Sequence, residues 1–358
     1  MRYQNVCLES FGYTLPEEVV DSEEIERRLQ PLYRRLRLPE GRLELMTGIR
    51  QRRFWKPGGL PSDQSVQSGQ KAIDAAGFDP QRIGLLAHGS VCRDYLEPAT
   101  ACSVHHRLGL PPECVVYDLS NACLGLLNGV LQAANMIELG QIEAALVVGT
   151  EDGRRLVEDT IEMLNNDQKL NRKQIKSAVA SLTIGSASCA ILLTHRNISQ
   201  TGNRLFAGVA RAQSNHHQLC HSQRDESVGG GAGLLMETDS EMLMKQGIAV
   251  GAETFKTFLQ ESELDRSQLH KTFCHQVGGT HRKLMLEAMG LSEENDFATL
   301  EWLGNTGSAA LPTTMAIGLQ EGFVEEGQNI GMLGIGSGIN CVMLAVQWRK
   351  TLVGGRSA

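Results

Sequence analysis

The chain has 358 residues, of which 41% are hydrophobic and 21% are charged, and its formal net charge is −7 at pH 7. This length allows two domains, or one large domain with a substantial core. The negative charge argues against a nucleic-acid-binding protein, because such proteins are usually basic. No apolar run is long enough to cross a bilayer, and the first residues lack the apolar segment of a signal peptide, so we expect a cytoplasmic protein.

The predicted elements alternate between strands and helices, which favours the α/β class. In chain order the patterns predict a strand from Val6, a charged helix within 16–38, a helix over 62–76, a strand over 83–91, a helix ending at Leu108, a short buried strand at 115–116, a helix ending at Gly140, a strand over 144–149, a charged helical region over 151–180, a strand over 185–193, a strand from Leu205 and a short amphipathic helix over 237–247.

A basic stretch lies early in the chain, in the sequence Thr-Gly-Ile-Arg-Gln-Arg-Arg-Phe-Trp. Its arginines are Arg50, Arg52 and Arg53. They could form surface ion pairs in an exposed turn, or they could contact the phosphates of a ligand, and the residues alone leave both interpretations open.

Cys123 follows the predicted strand at 115–116 and a helix-capping pair, Ser120-Asn121, so we expect it in the first turn of a helix. Unpaired backbone N–H groups and the positive end of the helix dipole would favour a thiolate there. Cys123 could therefore be a nucleophile. A buried cysteine that packs as a small hydrophobic residue remains the alternative.

The chain contains an internal repeat. The segments Asn121 to Gly149 and Asn305 to Gly334 have nearly equal length, and both have the order loop, small-residue helix, strand. We predict a duplicated α/β unit, with one half at residues 1–195 and the other at 196–358. The first half contains an insertion near 150–183.

Two further residues lie at positions in the second half that correspond to strand ends, His275 and Asn305. Such strand ends gather at one edge of a parallel α/β sheet, where sites form. Singly, the histidine could be a core residue and the asparagine a turn former. Together with Cys123 they would permit thioester chemistry, in which the thiolate takes up an acyl group and the other two side chains donate to an oxyanion.

Other polar clusters have weaker interpretations. His216, His217, Cys220 and His221 are close in sequence, but their spacing does not match known zinc ligand sets, and we expect a structural or substrate-loop role. The glycine-rich segment 229–233 lacks the lysine and the strand-to-helix context of a phosphate-binding loop. Nine cysteines without paired spacing indicate reduced thiols. We predict no metal, and no cofactor apart from a thioester substrate.

The chain resembles the thiolase-fold condensing enzymes over essentially its whole length, in the ketoacyl synthase III branch. The motifs are Thr47-Gly-Ile-Arg50, Ser120-Asn-Ala-Cys123-Leu-Gly, His275-Gln-Val-Gly, Gly304-Asn305-Thr-Gly-Ser-Ala-Ala-Leu-Pro312 and Gly334-Ile-Gly-Ser-Gly338. The resemblance implies a duplicated five-layered αβαβα fold and a homodimer. It also implies Claisen condensation with Cys123 as the acyl-bearing nucleophile and His275 and Asn305 as its partners.

One subgroup is more similar still, the OleA-type enzymes that join two acyl-CoAs head to head in olefin biosynthesis. Three segments resemble this subgroup: Cys92 to Ala101, the loop from His216 to Cys220, and the segment from Gly334 to Cys341, which contains Asn340. In this subgroup the glutamate that matches Glu97 comes from the partner subunit and is proposed to act as the base. Two simple acyl thioesters need such a base for their weakly acidic α-proton. An ordinary charge at a helix start is the alternative for Glu97.

The resemblance also suggests substrate contacts by Arg50, Arg52, Arg53 and the segment Gly336, Ser337, Gly338. Many ketoacyl synthases III have an arginine before Thr-Gly-Ile-Arg and a tryptophan four residues earlier, both of which bind the CoA adenine. This chain has Met46 and Arg42 at those positions, so it departs from the family at both of these adenine contacts.

Three functions follow as hypotheses. The leading one is non-decarboxylative condensation of two fatty acyl-CoAs to a 2-alkyl-3-oxoacyl product. The second is a decarboxylating 3-oxoacyl synthase III, or a simple acyltransferase, that uses an acyl carrier protein and malonyl units. The third, from another class, is a non-catalytic dimer partner of a synthase.

Overall fold

The computed structural model describes residues 1–170, 172–222 and 236–355. The glycine-rich segment 229–233 lies outside the described residues. The strands are β1 (Val6–Thr14), β2 (Glu18–Asp21), β3 (Gln51–Phe54), β4 (Leu85–Gly89), β5 (Val115–Leu119), β6 (Ala144–Glu151), β7 (Ala187–His195), β8 (Arg204–Ala212), β9 (Cys220–Ser222), β10 (Met236–Thr238), β11 (Lys271–Cys274), β12 (Asn329–Gly336), β13 (Asn340–Gln347) and β14 (Val353–Gly354).

The helices alternate with these strands, as predicted. They are α1 (Ser22–Arg28), α2 (Gln30–Leu36), α3 (Arg42–Thr47), α4 (Pro61–Ala76), α5 (Thr100–Arg107), α6 (Gly125–Glu138), α7 (Arg154–Asn166), α8 (Arg172–Ala178), α9 (Ser240–Ser262), α10 (Gly279–Met289), α11 (Leu300–Leu303) and α12 (Ala310–Gln320). Within the described ranges, no helix is long and apolar enough to cross a membrane.

The large sheet consists of two halves with the same strand pattern. Its order is β11-β12-β13-β8-β1-β7-β6-β4-β5, and the halves meet where β8 and β1 pair at Cys7 and Arg204. Outward from this junction, the first half pairs β1–β7 and β7–β6 antiparallel and β6–β4 parallel. The second half likewise pairs β8–β13 and β13–β12 antiparallel and β12–β11 parallel. An isolated parallel bridge between Thr272 and Asp296 lies where the first half has β5. The predicted boundary near residue 196 falls between β7 and β8.

Five layers result from the burial of the helices. Helices α6 and α12 share one apolar core with strands of both half-sheets, and every residue of α12 from Ala310 to Leu319 is buried. A helix that is apolar all round must lie inside the molecule. Helices α4 and α5 cover the outer face of the first half-sheet, and α9 and α10 cover that of the second. The thiolase-type αβαβα fold is therefore confirmed.

Some predicted elements differ in extent. The charged region 16–38 contains β2 and two helices, because Pro31 lies in the first turn of α2 and ends the preceding helix. The helix predicted over 237–247 continues to Ser262. Strand β5 was predicted to be buried, but it is the edge strand of the sheet, and Val115 is 45% exposed.

Candidate active site

Cys123 lies in the tight connection between β5 and α6. Ala122 immediately before it has a φ of 45°, a left-handed conformation that is uncommon for a residue with a side chain. Helix α6 begins at Gly125, so Cys123 precedes the first turn instead of lying within it, as the sequence had predicted. The side chain of Asn121 donates to Asn128 at 2.7 Å and accepts from Asn340 at 3.2 Å, which holds this connection in place.

Close backbone packing fixes the start of α6. A Cβ at Gly89, the last residue of β4, would lie 2.6 Å from the carbonyl group of Gly125. Only glycine allows this approach of strand to helix. The position of Cys123 is therefore set by the contact between β4 and the helix that follows it.

The Cys123 thiol is protonated in the resting site. Desolvation by burial, with smaller contributions from the nearby Glu151 and Cys220, raises the pKa of Cys123 to about 12. The backbone N–H groups of Ser337 and of Cys123 itself act in the opposite direction. The expected thiolate is thus wrong for the resting site, because burial outweighs the stabilisation by the helix end. The same two N–H groups could donate to an acyl oxygen on Cys123.

His275 follows β11 directly, and its backbone N–H donates to Leu333 O at 3.1 Å on the neighbouring strand β12. Its side chain is buried, and neither ring nitrogen has a hydrogen-bond partner within the described ranges. Burial, with a smaller contribution from His281, lowers the pKa of His275 to about 3. The ring is therefore neutral, and its nitrogens remain available to a substrate or a thiol.

Asn305 follows the short helix α11 and not a strand, so the predicted strand-end position is wrong for this residue. It lies in a loop that is tied to the first half of the chain. Its N–H donates to Thr183 O and its carbonyl accepts from Gly185 N, both at 2.9 Å. Its Oδ1 accepts from the N–H of Gly307 at 3.0 Å. The amide is oriented by this bond, and Nδ2 has no hydrogen-bond acceptor among the residues that the structure describes.

Glu151, at the end of β6, was not singled out from the sequence. Its carboxylate is buried and accepts hydrogen bonds from the N–H groups of Val91 and Cys92, at 3.0 and 3.3 Å. It also accepts from the N–H and the hydroxyl of Ser308, at 3.2 and 2.6 Å. Burial raises the pKa of Glu151, whereas the Ser308 hydroxyl and the Val91 N–H act against this rise. A carboxylate at the end of a buried strand was the signal that could have identified it.

Glu97 lies in the segment between β4 and α5. It is exposed, and among the described residues its side chain has no hydrogen-bond or ion-pair partner. Two apolar neighbours are also exposed, Tyr95 at 57% and Leu96 at 68%. The segment departs from the sheet next to the edge strand β5, since the carboxylate of Asp118 in β5 caps the N-terminus of α5 at Thr100. Glu97 thus faces outward at one edge of the molecule.

The predicted substrate contacts have different environments. Arg50 is exposed, with Nε 3.7 Å from a Glu301 carboxylate oxygen. Arg52 is fully buried and donates to the hydroxyl of Ser22 at 3.1 Å, which counts against a phosphate contact. Arg53 donates to Pro16 O at 2.9 Å.

The segment Gly336, Ser337, Gly338 adjoins the cysteine. A Cβ at Gly336 would lie 3.6 Å from Cys123 Cβ, and Gly338 has a φ of 78°. The segment with His216 and His217 forms a turn of 3₁₀-helix before β9, and Cys220 Sγ lies 3.4 Å from Thr238 Oγ1. In the part of the chain that the structure describes, no group of three or more His, Cys, Asp or Glu residues could hold a metal.

The half-buried thiol of Cys123 and the oriented amide of Asn305 lie in loops of the two halves, and the neutral imidazole of His275 follows β11. That the three side chains form one site remains a prediction from the sequence. The Cys123 sulfur is close enough to the Ser337 N–H for this group to lower the pKa of the thiol, and the charge of Glu151 raises it. Glu151 is in turn hydrogen-bonded to Ser308 of the loop that contains Asn305. The structure leaves Glu97 outside this group within one chain. Such a site can take up an acyl group and stabilise oxyanions.

Two family models match the chain. Residues 61–215 match the N-terminal domain of thiolase, and residues 259–348 match the C-terminal domain of 3-oxoacyl-[acyl-carrier-protein] synthase III. Among characterised sequences, the acyl-CoA:acyl-CoA alkyltransferase of Shewanella oneidensis is 39% identical over 351 residues, which are 97% of this chain and 100% of the relative. The enzyme of the same name from Xanthomonas campestris is 32% identical, with 97% and 100% covered.

Solved structures of an OleA enzyme and of a 3-oxoacyl synthase III are similar to this chain. Cerulenin-bound OleA of Xanthomonas campestris superimposes with a TM-score of 0.91 at 32% identity, covering 97% of this chain and 98% of that one. The 3-oxoacyl-(acyl carrier protein) synthase III FabH of Xanthomonas oryzae pv. oryzae has the same score and identity and is covered completely. The Xanthomonas campestris enzyme has also been solved with a cysteine, a glutamate or a histidine substituted.

Proposed function

Since the chain belongs to the OleA-like acyl-CoA:acyl-CoA alkyltransferases of the thiolase superfamily, we propose that it joins two fatty acyl-CoAs head to head without decarboxylation. Members of this family are acyltransferases. The observation that supports the specific reaction is the pairing of a cysteine–histidine–asparagine site with an outward-facing glutamate, Glu97, at the molecular edge.

In the first half-reaction Cys123 takes up an acyl group. Because the resting thiol is protonated and His275 is neutral, the imidazole accepts the thiol proton as sulfur attacks the thioester carbonyl. The oxyanion accepts hydrogen bonds from the N–H groups of Ser337 and Cys123. Collapse of the tetrahedral intermediate breaks the bond to the CoA sulfur, and the leaving thiolate takes the proton from His275.

In the second half-reaction Glu97 of the partner subunit removes an α-proton from a second acyl-CoA. His275 and Asn305 Nδ2 donate to the resulting enolate oxygen. The α-carbon attacks the acyl-Cys123 carbonyl, a carbon–carbon bond forms, and the cysteine sulfur leaves and takes up the proton that Glu97 had removed, which restores the thiol and the carboxylate. The product is a 2-alkyl-3-oxoacyl-CoA, and its hydrolysis would give the β-keto acid.

The donated base requires a homodimer, and the exposed surface of one chain supports such an assembly. Strand β5 has an open edge, on which the backbone N–H and C=O groups that do not pair with β4 are available to another strand. Tyr95, Leu96 and Val91 add exposed apolar area beside Glu97. A second copy that covers this edge would bury these side chains and bring Glu97 to a neighbouring site.

The substrate requirement tests the proposal. Purified protein is incubated with myristoyl-CoA alone, and the intact protein mass, released CoA and lipid products are measured together. We expect an acyl adduct on Cys123 and a doubled-chain β-keto product, or the ketone that it yields by decarboxylation. Cys123→Ala, as the matched control, should give neither.

Two other outcomes would contradict the proposal. An acyl adduct that accumulates until malonyl-ACP is added would identify a decarboxylating ketoacyl synthase. The FabH relative is named a 3-oxoacyl-(acyl carrier protein) synthase III. The absence of an adduct with any acyl-CoA or acyl-ACP would instead indicate a non-catalytic partner.

A further inference from the structure

The carboxylate of Glu151 joins two loops that have separate functions in the proposed reaction. One is the base loop, residues 90–99, which contains Glu97. The other is the oxyanion loop, residues 304–308, which contains Asn305. Glu151 Oε1 accepts from Val91 N–H of the first loop and from Ser308 of the second, so a single oxygen bridges them.

On the oxyanion loop, Glu151 packs against the residue that orients the Asn305 amide. The Glu151 carboxyl carbon is packed so closely on Gly307 that a Cβ there would approach it to 3.0 Å. The N–H of the same glycine orients Asn305 by donating to Oδ1. Movement of the carboxylate would therefore move the donor that stabilises the enolate.

The contacts on the base loop fix its first residues. Besides the bonds from Val91 and Cys92 to the carboxylate, the Ser90 hydroxyl is 2.6 Å from Cys92 O and 2.8 Å from Thr150 O. The loop is held again at Asp94, whose N–H donates to Thr100 Oγ1 and whose carboxylate accepts from the Ser62 N–H, and residues 95–98 beyond it are exposed. The orientation of Glu97 thus depends on how the loop leaves β4.

We propose that Glu151 is a positioning residue that sets both the oxyanion loop of its own active site and the base loop that its chain donates to the neighbouring site. The inference rests on the proposed function, because only a donated Glu97 places the two loops in different active sites. The Glu151 carboxylate of one subunit then holds a loop in each of the two active sites of the dimer.

Mixed dimers separate the two effects. A donor subunit has Cys123→Ala and supplies Glu97, and an acceptor subunit has Glu97→Gln and keeps Cys123. The two chains are co-expressed with different affinity tags and purified in tandem, so that only the acceptor site can react. Acylation is followed by intact mass with myristoyl-CoA, and condensation is followed by the β-keto product.

Glu151→Gln is introduced into either subunit. In the donor it should lower the condensation rate about tenfold to hundredfold, with unchanged KM and unchanged acylation of the acceptor Cys123, because only the base is misplaced. In the acceptor it should also lower condensation. Ser308→Ala, which affects only the oxyanion loop, should act only in the acceptor, and Ser90→Ala should act only in the donor.

The control is Glu9→Gln. Glu9 is another buried carboxylate, which accepts hydrogen bonds from Thr194, Ser199 and Gln200 away from the site. It should leave condensation unchanged in either subunit. If Glu151→Gln does not fold, the opposite subunit dependence of Ser90→Ala and Ser308→Ala tests the same arrangement.

The inference is overturned if Glu151→Gln in the donor leaves condensation unchanged, or if it lowers acylation of the neighbouring Cys123 to the same extent. Equal effects of Ser90→Ala in both subunits would also overturn it. The mixed dimer without any change at Glu151 must itself condense acyl-CoA. If its acceptor site is acylated but forms no β-keto product, the donation of Glu97 is refuted, and the cross-subunit role of Glu151 with it.

Discussion

At the scale of single residues, the site depends on an unusual starting state of its nucleophile. A half-buried, desolvated Cys123 with a pKa of about 12 and a neutral His275 with a pKa of about 3 cannot form a resting ion pair. The proton must move when substrate is bound, and the thiol is kept from unproductive reactions until then. This behaviour differs from that of cysteine enzymes whose thiolate is preformed by a neighbouring cation.

Alkylation of the substrate-free protein measures this protonation state. Because the thiolate fraction rises tenfold per pH unit below the pKa, the iodoacetamide reaction of Cys123 should accelerate continuously from about pH 6 to about pH 9. Peptide mapping distinguishes Cys123 from the exposed Cys102. A plateau below pH 8 would reveal a preformed thiolate and contradict the assignment.

Asn305 should affect the two half-reactions unequally. Acylation has its own donors in the N–H groups of Ser337 and Cys123, whereas the enolate depends on Asn305 and His275. Asn305→Ala should therefore lower condensation by roughly 10²–10³-fold and change Cys123 acylation little, as measured by rapid quench and intact mass. An equal loss in both steps would place Asn305 in acylation instead.

The sequence indicated Cys123, His275 and Asn305 because each follows a predicted strand in a repeated unit. Their catalytic roles remain predictions. Two properties were inaccessible from the sequence. The protonation of Cys123 depends on desolvation by segments far away in the chain, and the importance of Glu151 depends on Ser308, which is 157 positions away.

At the scale of elements, the nucleophile is positioned by the contact of β4 with α6. Gly89→Ala would place a Cβ 2.6 Å from the Gly125 carbonyl, so the helix start must shift. We expect a decrease of about 1–3 kcal/mol in the free energy of unfolding, together with slower acylation of Cys123.

The control for this prediction is Gly59→Ala, where the nearest atom to a new Cβ would be Lys56 O at 3.8 Å. Denaturant unfolding of both variants gives the comparison. Equal stability of the two variants would show that the strand–helix contact is not tight.

The alternation of strands and helices was predictable because apolar periodicity is a local property. The exposure of β5 was not, since an edge position is decided by the order of strands in the whole sheet. The length of α9 was also underestimated, because its apolar residues face strands whose location the sequence does not reveal.

At the scale of the whole molecule, the duplicated fold leaves one open edge in the first half-sheet, with apolar residues beside Glu97. Tyr95→Arg should weaken self-association, because it would bury a charge in the proposed interface. Sedimentation velocity should show twice the chain mass for the wild-type protein and a shift towards monomer for the variant.

Leu139 provides the control, since it is 74% exposed at the end of α6. Leu139→Arg should leave the association unchanged. A wild-type protein that sediments as a monomer while it condenses acyl-CoA would exclude the donated base.

In the proposed reaction Glu97 is needed for carbon–carbon bond formation but not for acyl uptake, and the variant Glu97→Gln separates the two steps. With excess myristoyl-CoA, the released CoA and the acyl-enzyme are measured in the same quenched samples. We expect a single equivalent of CoA per chain, an acyl adduct on Cys123 that persists, and no β-keto product beyond the uncatalysed background. Product formation at the wild-type rate would contradict this role of Glu97, because the base would then be another group.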